Sequence, residues 1–161
     1  MMRVQELMTK QVTTCKADDS LEHAAQMLWS HDCGCLPVTA TGDNGVRLPI
    51  GMITDRDICM CAMFQHKSLD ELHVRDAMSR SVLSCGPQEP VEHAEEIMRE
   101  GQIRRLPVVD GSGCLIGMIT LADIAREAAK ERARPTKDVT ETEVGDTLAA
   151  ICAPPSQSLA A

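Results

Sequence analysis

The chain has 161 residues, 43% of them apolar, but only one Trp, one Phe and no Tyr, so any core must be aliphatic with the ten Met as adaptable filler. Sixteen basic against 24 acidic residues give a net charge of −8, which argues against binding to nucleic acid or an anionic membrane. No apolar run approaches the roughly 20 residues that span a bilayer, and the opening Met1-Met-Arg-Val-Gln-Glu lacks the apolar stretch of a secretory signal, so a cytoplasmic protein is expected.

Val4 to Met8 reads as a short amphipathic segment, and the β-branched run at 12–14 as a short strand. Leu21, Ala24, Ala25 and Leu28 share one helical face. They predict a helix with Asp19 as N-cap, ending near His31. Strands are expected over 35–39 and 47–53, joined by a turn at Asp43-Asn-Gly45, and then a helix from Thr54 to about Gln65. Ser68-Leu-Asp-Glu71 has the spacing of a capping box and would start the segment Val74 to Met78.

From there the pattern recurs: a strand at 82–84, a helix carrying Val91, Ala94 and Met98 with Pro90 as its first helical residue, strands over 105–109 and 114–119, and a helix from Thr120 to about Arg132. Val4, Met8, Val12, Glu22-His23-Ala24 and Leu36-Pro37-Val38 match Val74, Met78, Val82, Glu92-His93-Ala94 and Leu106-Pro107-Val108 at an offset of 70. Ile50-Gly-Met-Ile-Thr-Asp-Arg-Asp-Ile58 matches Ile116-Gly-Met-Ile-Thr-Leu-Ala-Asp-Ile124 at an offset of 66, so the first copy carries four extra residues between 39 and 49. The chain is a tandem repeat of a β-α-β-β-α unit. Past Arg134 one more helix is expected over 141–152, with Val144, Leu148 and Ile151 on its apolar face, and Pro154 to Ala161 reads as a disordered end.

Gly51-x-x-Thr54-x-x-Asp57 and Gly117-x-x-Thr120-x-x-Asp123 sit where a strand hands over to a helix. Two readings stand. A helix N-terminus offers free N–H groups and a positive dipole end to a phosphate. Glycine would allow close approach, threonine would donate to a phosphate oxygen, and the carboxylate would accept two ribose hydroxyls. Equally, Thr-x-x-Asp is a variant capping box that merely starts the helix.

These motifs together, Met-Thr/Ser entry segments, Leu-Pro-Val and Gly-Met-Ile-Thr-x-x-Asp-Ile in two copies, resemble the CBS domain. Two in tandem look like a Bateman module, and the chain is similar to small stand-alone two-CBS proteins of the bacterial hypoxic-response type, down to Ala150-Ile-Cys152. The resemblance implies an α+β fold with repeat 1 over 3–66, a linker over 67–73, repeat 2 over 74–133 and a C-terminal extension over 134–161, the repeats packed about a pseudo-two-fold axis.

It also implies a regulatory, non-catalytic homodimer that needs no cofactor, binds adenine nucleotide or S-adenosylmethionine between its repeats, and acts on a partner protein still to be identified. By the same resemblance Asp57 and Asp123 hold ribose hydroxyls, and Thr54 and Thr120 contact ribose or phosphate. Val12 and Val82, with Pro37 and Pro107, flank adenine. Arg104 and Arg105 neutralise phosphate in the second copy; in the first, where Gly34 and Cys35 replace them, the nearest cation is Arg56, with Lys10 and Arg80 at the entry segments. The two sites should therefore differ.

No Walker loop, G-x-S-x-G or H-E-x-x-H is present, so no catalytic residue is expected. Most of the eight Cys are expected to be small buried hydrophobes. His31-x-Cys33-x-Cys35 is too tightly spaced for an ordinary metal site, and no metal ligand is assigned. Cys59 and Cys61, two apart on a helix, face different directions. His23 and His93 are expected to be neutral packing or surface residues. A thiol- or metal-responsive protein, or a ligand-free scaffold, remains the alternative.

Overall fold

Ser20, rather than Asp19, opens the first long helix: its hydroxyl accepts the His23 amide hydrogen at 3.1 Å, while Asp19 accepts from the Lys16 amide in the preceding turn. The computed structural model describes residues 1–42 and 45–154. The expected turn residues Asp43 and Asn44, and all of the expected disordered end after Pro154, lie outside the described residues.

The elements run α1 (Val4–Leu7), α2 (Leu21–Ser30), β1 (Cys35–Thr41), β2 (Arg47–Thr54), α3 (Asp55–Gln65), α4 (Val74–Ala77), α5 (Val91–Gly101), β3 (Arg105–Val109), β4 (Leu115–Thr120), α6 (Leu121–Glu131) and α7 (Glu141–Ile151). Mixed helices and two small two-stranded sheets, β1–β2 and β3–β4, make the α+β class expected. β1 and β2 are antiparallel, with a bulge opposite Val38/Thr39 that leaves Ile50 out of the ladder. The neighbouring Pro49 has no amide hydrogen to give there, which suits it to a bulge.

Three local expectations are corrected. The strands at 12–14 and 82–84 shrink to single bridges, Cys15 to Val38 and Cys85 to Val108. Only the Cys residues reach a ladder partner, through Cys15 N–H to Pro37 O and Cys85 N–H to Pro107 O, both 3.1 Å. Pro90 is the N-cap of α5, one step before its first helical residue. The Ser68–Glu71 hydrogen bonds form (2.7 and 3.1 Å), but they close a turn; α4 is started by Asp76, which accepts from the His73 amide at 2.9 Å.

The chain divides into two compact units, and neither is one stretch of sequence. One comprises residues 1–9, 83–108 and those from 118 on; the other comprises 10–82 and 109–117. The core of the second is aliphatic: Leu21, Ala24 and Leu28 from α2 meet Leu36, Val38, Ile53, Ile58, Leu72 and Val74. Each such large side chain contributes about 1.5–3 kcal/mol of transfer free energy. In the first unit Val91, Ala94 and Met98 of α5 and Ile124 and Ala128 of α6 are buried in the same periodicity.

α7 packs on α5 and α6, with Val144 and Ile151 of the expected face half-buried but Leu148 turned outward. Thr147 is fully buried while Leu148 is 44% exposed. The buried hydroxyl is satisfied: it donates to Glu95 Oε1 and accepts from Arg99 Nη1, both at 3.1 Å. Gln102 adds hydrogen bonds to the carbonyls of Ala150 and Ala153. The Cys expectation also fails in part, since only Cys15, Cys35 and Cys85 are buried and Cys59 and Cys152 are exposed.

Candidate functional site

β2 ends and α3 begins at Thr54, whose extended backbone turns the chain into the helix. Its hydroxyl accepts the Asp57 amide hydrogen at 3.2 Å. Asp57 Oδ2 accepts in return from the Thr54 amide (2.9 Å) and hydroxyl (2.7 Å). The second copy repeats this almost to the tenth of an ångström: Asp123 N–H to Thr120 Oγ1 is 3.2 Å, and Asp123 Oδ2 receives the Thr120 amide at 2.9 Å and hydroxyl at 2.6 Å. The capping reading is therefore realised in both copies.

Capping still leaves something for a ligand. Each threonine has given its one hydroxyl hydrogen to the aspartate, so with the box intact it can meet a ligand only as an acceptor, and not as the phosphate donor expected. Each aspartate has one oxygen, Oδ1, outside the box. In the first copy that oxygen has no hydrogen-bond partner among the described residues. In the second it is paired with Arg126.

The entry segments pair with the opposite copy. Met52 and Ser79 exchange amide-to-carbonyl hydrogen bonds at 2.9 and 3.0 Å, bringing the stretch leading to Val82 beside the first signature. Thr9 and Met118 do the same at 2.8 and 2.9 Å beside the second. Gly51 is required by this contact: a Cβ there would lie 2.8 Å from Ser79 O and from Met78 Sδ.

Of the other expected ligand residues, Val12 and Val82 are half-buried. Pro37 and Pro107 are buried and lend their carbonyls to Cys15 and Cys85. The Arg104 carbonyl accepts the Leu121 amide hydrogen at 3.0 Å, which sets the backbone of exposed Arg104, with half-buried Arg105 next to it, against the first residue of α6, the neighbour of Thr120. Arg56 is exposed in the first turn of α3.

A cavity of about 310 Å³ is lined by Asp57, Met60, Phe64 and Asp76 among others. A roomier one, about 610 Å³, lies between α2 and α3 and is lined by Leu28, Trp29, Cys33, Ile58, Cys59 and Leu69, none of them an expected ligand residue. The larger volume is mainly apolar, with Asp32 and Asp55 at its wall; the smaller one is the better candidate because it is lined by Asp57 of the repeated signature. Sequence reading missed Trp29 (90% exposed) and Phe64 (70% exposed). Both lie off the buried stripes of their helices, which was the available signal.

Among the described residues no group of three or more His, Cys, Asp or Glu is arranged to hold a metal ion. Burial pushes the Cys15 and Cys85 thiols up to about 12, so both stay protonated and unreactive at neutral pH. No helix among the described residues is long and apolar enough to cross a membrane.

The CBS-domain family model matches residues 4–62 and 74–130. The CBS domain-containing protein YhcV of Bacillus subtilis is 34% identical over 125 residues, 78% of this chain and 84% of its own length. Among solved structures, the CBS domain pair of protein MJ0100, in complex with 5′-methylthioadenosine and S-adenosyl-L-methionine, is 30% identical, with a TM-score of 0.66, covering 78% of this chain and 98% of that one. Hypoxic Response Protein I, solved with two coordinated zinc ions, is likewise 30% identical with a TM-score of 0.66 over 78% of this chain and 98% of its own. The chain belongs to the CBS-domain family and carries the domain twice, as a CBS pair.

Proposed function

We propose that this protein is a regulatory, non-catalytic CBS pair that binds an adenosine-containing ligand, an adenine nucleotide or S-adenosylmethionine, with Asp57 and Asp123 as acceptors for ribose hydroxyls. The observation that carries this reading is Asp57 itself. The capping box uses only Oδ2, fixes the carboxylate rigidly, and leaves Oδ1 unpartnered in a residue that borders a cavity. A vicinal diol needs such a preset acceptor. The complex of the MJ0100 domain pair with two adenosine compounds supports it.

Thr54 and Thr120 serve mainly to hold the aspartates. Arg56 in the first copy and Arg104 and Arg105 in the second neutralise a phosphate where one is present, and Val12 and Val82 flank the base. Binding shifts the protein between states only by as much as the ligand discriminates between them. The protein works in the cytoplasm and needs no prosthetic group.

Asp57→Asn tests the assignment cleanly: the amide oxygen can keep the cap, while the NH₂ replaces the free acceptor. Calorimetry with AMP, ATP, S-adenosylmethionine and 5′-methylthioadenosine should show micromolar binding to wild type and a loss of at least tenfold in the variant. Absence of binding by all four below about millimolar, or equal binding by the folded variant, refutes the reading.

A second function, self-association, is favoured by the groove between α2 and α3. In the second copy the corresponding positions to Ala25 and Trp29 are Glu95 and Arg99, and α7 lies on them. In the first copy the same groove is mainly apolar, lined by Ala25, Leu28, Ile58 and Leu69, with Trp29 exposed on it. A second copy of the chain covers it in the homodimer we propose. Trp29→Glu should convert the dimer to monomer in sedimentation equilibrium, and a wild-type protein that is monomeric at 100 µM (roughly the concentration a weak dimer needs) rules the dimer out.

A further inference from the structure

We infer that Arg126 sets the ligand preference of the second copy by occupying the carboxylate oxygen through which Asp123 would hold a ribose, so that the two copies of one motif select different ligands. The inference rests on the adenosine reading above and adds to it a residue outside the shared signature.

The two capping boxes superpose in chemistry and distance, so the aspartates are equally rigid and equally oriented. Their difference begins one helical turn later. Position 126 corresponds, at the offset of 66, to Met60. Three residues on from the aspartate, both side chains rise over the same first turn of the helix. Arg126 Nη2 meets Asp123 Oδ1, the one oxygen the cap leaves over, on a carboxylate that is only 11% exposed. Met60 has no donor to offer Asp57, and both line the same cavity.

The chemical consequence is specific. A ribose diol donates two hydrogens to a carboxylate and so competes directly with a guanidinium already there. A phosphate does not compete: it is itself a partner for Arg126, and the Leu121–Arg104 hydrogen bond sets the backbone of a further basic pair, Arg104 and Arg105, at the start of the same helix. In the first copy the cavity at Asp57 is lined by a second carboxylate, Asp76, and by no arginine or lysine. It suits an uncharged or cationic adenosine compound. The first copy is thus the nucleoside-type site and the second the phosphate-dependent one. Arg126 is two-thirds exposed, so water and salt weaken the pair and the mask is a bias and not a block.

The test is a reciprocal exchange read with two ligands, adenosine and AMP, by calorimetry on the full chain, with thermal melts to verify folding. Arg126→Met should create or tighten a second adenosine site by about threefold to fivefold, the range an exposed ion pair supports, while weakening AMP. That gain should vanish in Arg126→Met/Asp123→Asn. Met60→Arg should weaken adenosine at the first site by a similar factor. An Arg126→Met variant whose adenosine and AMP binding both match wild type overturns the inference, as does a gain that survives Asp123→Asn. If adenosine and AMP fail to bind wild type at all, the functional reading itself has failed and this inference falls with it; binding to wild type with no response to either exchange sinks the inference alone.

Discussion

Thr147 donates its hydroxyl hydrogen to Glu95 at 3.1 Å, joining two residues that lie 52 apart in sequence and are both buried. Burial raises the Glu95 carboxyl above the ordinary glutamate range, with the Thr147 hydrogen bond and Arg99 opposing less strongly. An acid whose folded pKa is raised stabilises the fold fully below its unfolded value and loses that contribution as pH rises through the folded value. Docking of α7 should therefore weaken from mildly acidic to neutral pH. Glu95→Gln removes the charge and keeps a partner for Thr147, so it should raise the melting temperature at pH 8 and change it little at pH 4.5. Equal shifts at both pH values would contradict this account.

Glu131 works in the opposite direction. Its side chain is buried and accepts from the Val139 amide (3.1 Å), the Asp138 amide (2.8 Å) and Arg134 (2.7 Å). These donors, the Val139 amide foremost, hold its carboxyl below the usual range. Stability from a depressed carboxyl is present above the unfolded pKa and disappears as pH falls through the folded one. Glu131→Gln should lower the melting temperature by several degrees at pH 7, and the gap should close below about pH 4, near the glutamate reference value. Amide exchange at Val139 reports the same loss locally.

Gly51→Ala should cost about 1–3 kcal/mol in denaturant melts, the usual range for overpacking. The new methyl meets a backbone oxygen, Ser79 O, which has no rotamer to escape into. An unchanged melting midpoint would mean that the Met52–Ser79 pairing yields easily.

Thr54→Ala and Thr120→Ala each remove a cap and should destabilise by about 0.5–2 kcal/mol, whereas Thr→Ser at either site should be close to neutral. Because the two boxes are geometrically alike, the losses should agree within about 0.5 kcal/mol, the usual additivity error for independent sites. Chemical denaturation of both alanine variants decides it.

Local features were readable from the residues alone. A capping box spans three residues, so Thr54 with Asp57 and Thr120 with Asp123 could be matched to helix starts from spacing, and the buried stripes of α2, α5 and α6 followed from periodicity. Residues whose reason lies far away were misread. Leu148 outranks Thr147 on any apolar pattern, yet Thr147 is the one buried, because Glu95 and Arg99 satisfy its hydroxyl from 52 and 48 residues away. The run at 12–14 has strand-forming residues, but only Cys15 has a ladder to join. The likeness of the two sites was legible, and so was a difference in basic residues before Leu-Pro-Val. The role of Arg126 was not, since an arginine in mid-helix reads as ordinary solvated charge.

The pairing of residues 2–5 with 87–91, through Val4 N–H to Glu89 O, Gln5 N–H to Pro87 O and Val91 N–H to Met2 O, bears on how the molecule can be made. During synthesis this segment waits for partners that emerge about 80 residues later, a delay of several seconds at ordinary elongation rates. Severing the polypeptide between the copies would leave both pieces without a neighbour each needs, so neither copy is an independent folding unit, and duplication of the motif has produced an obligate pair.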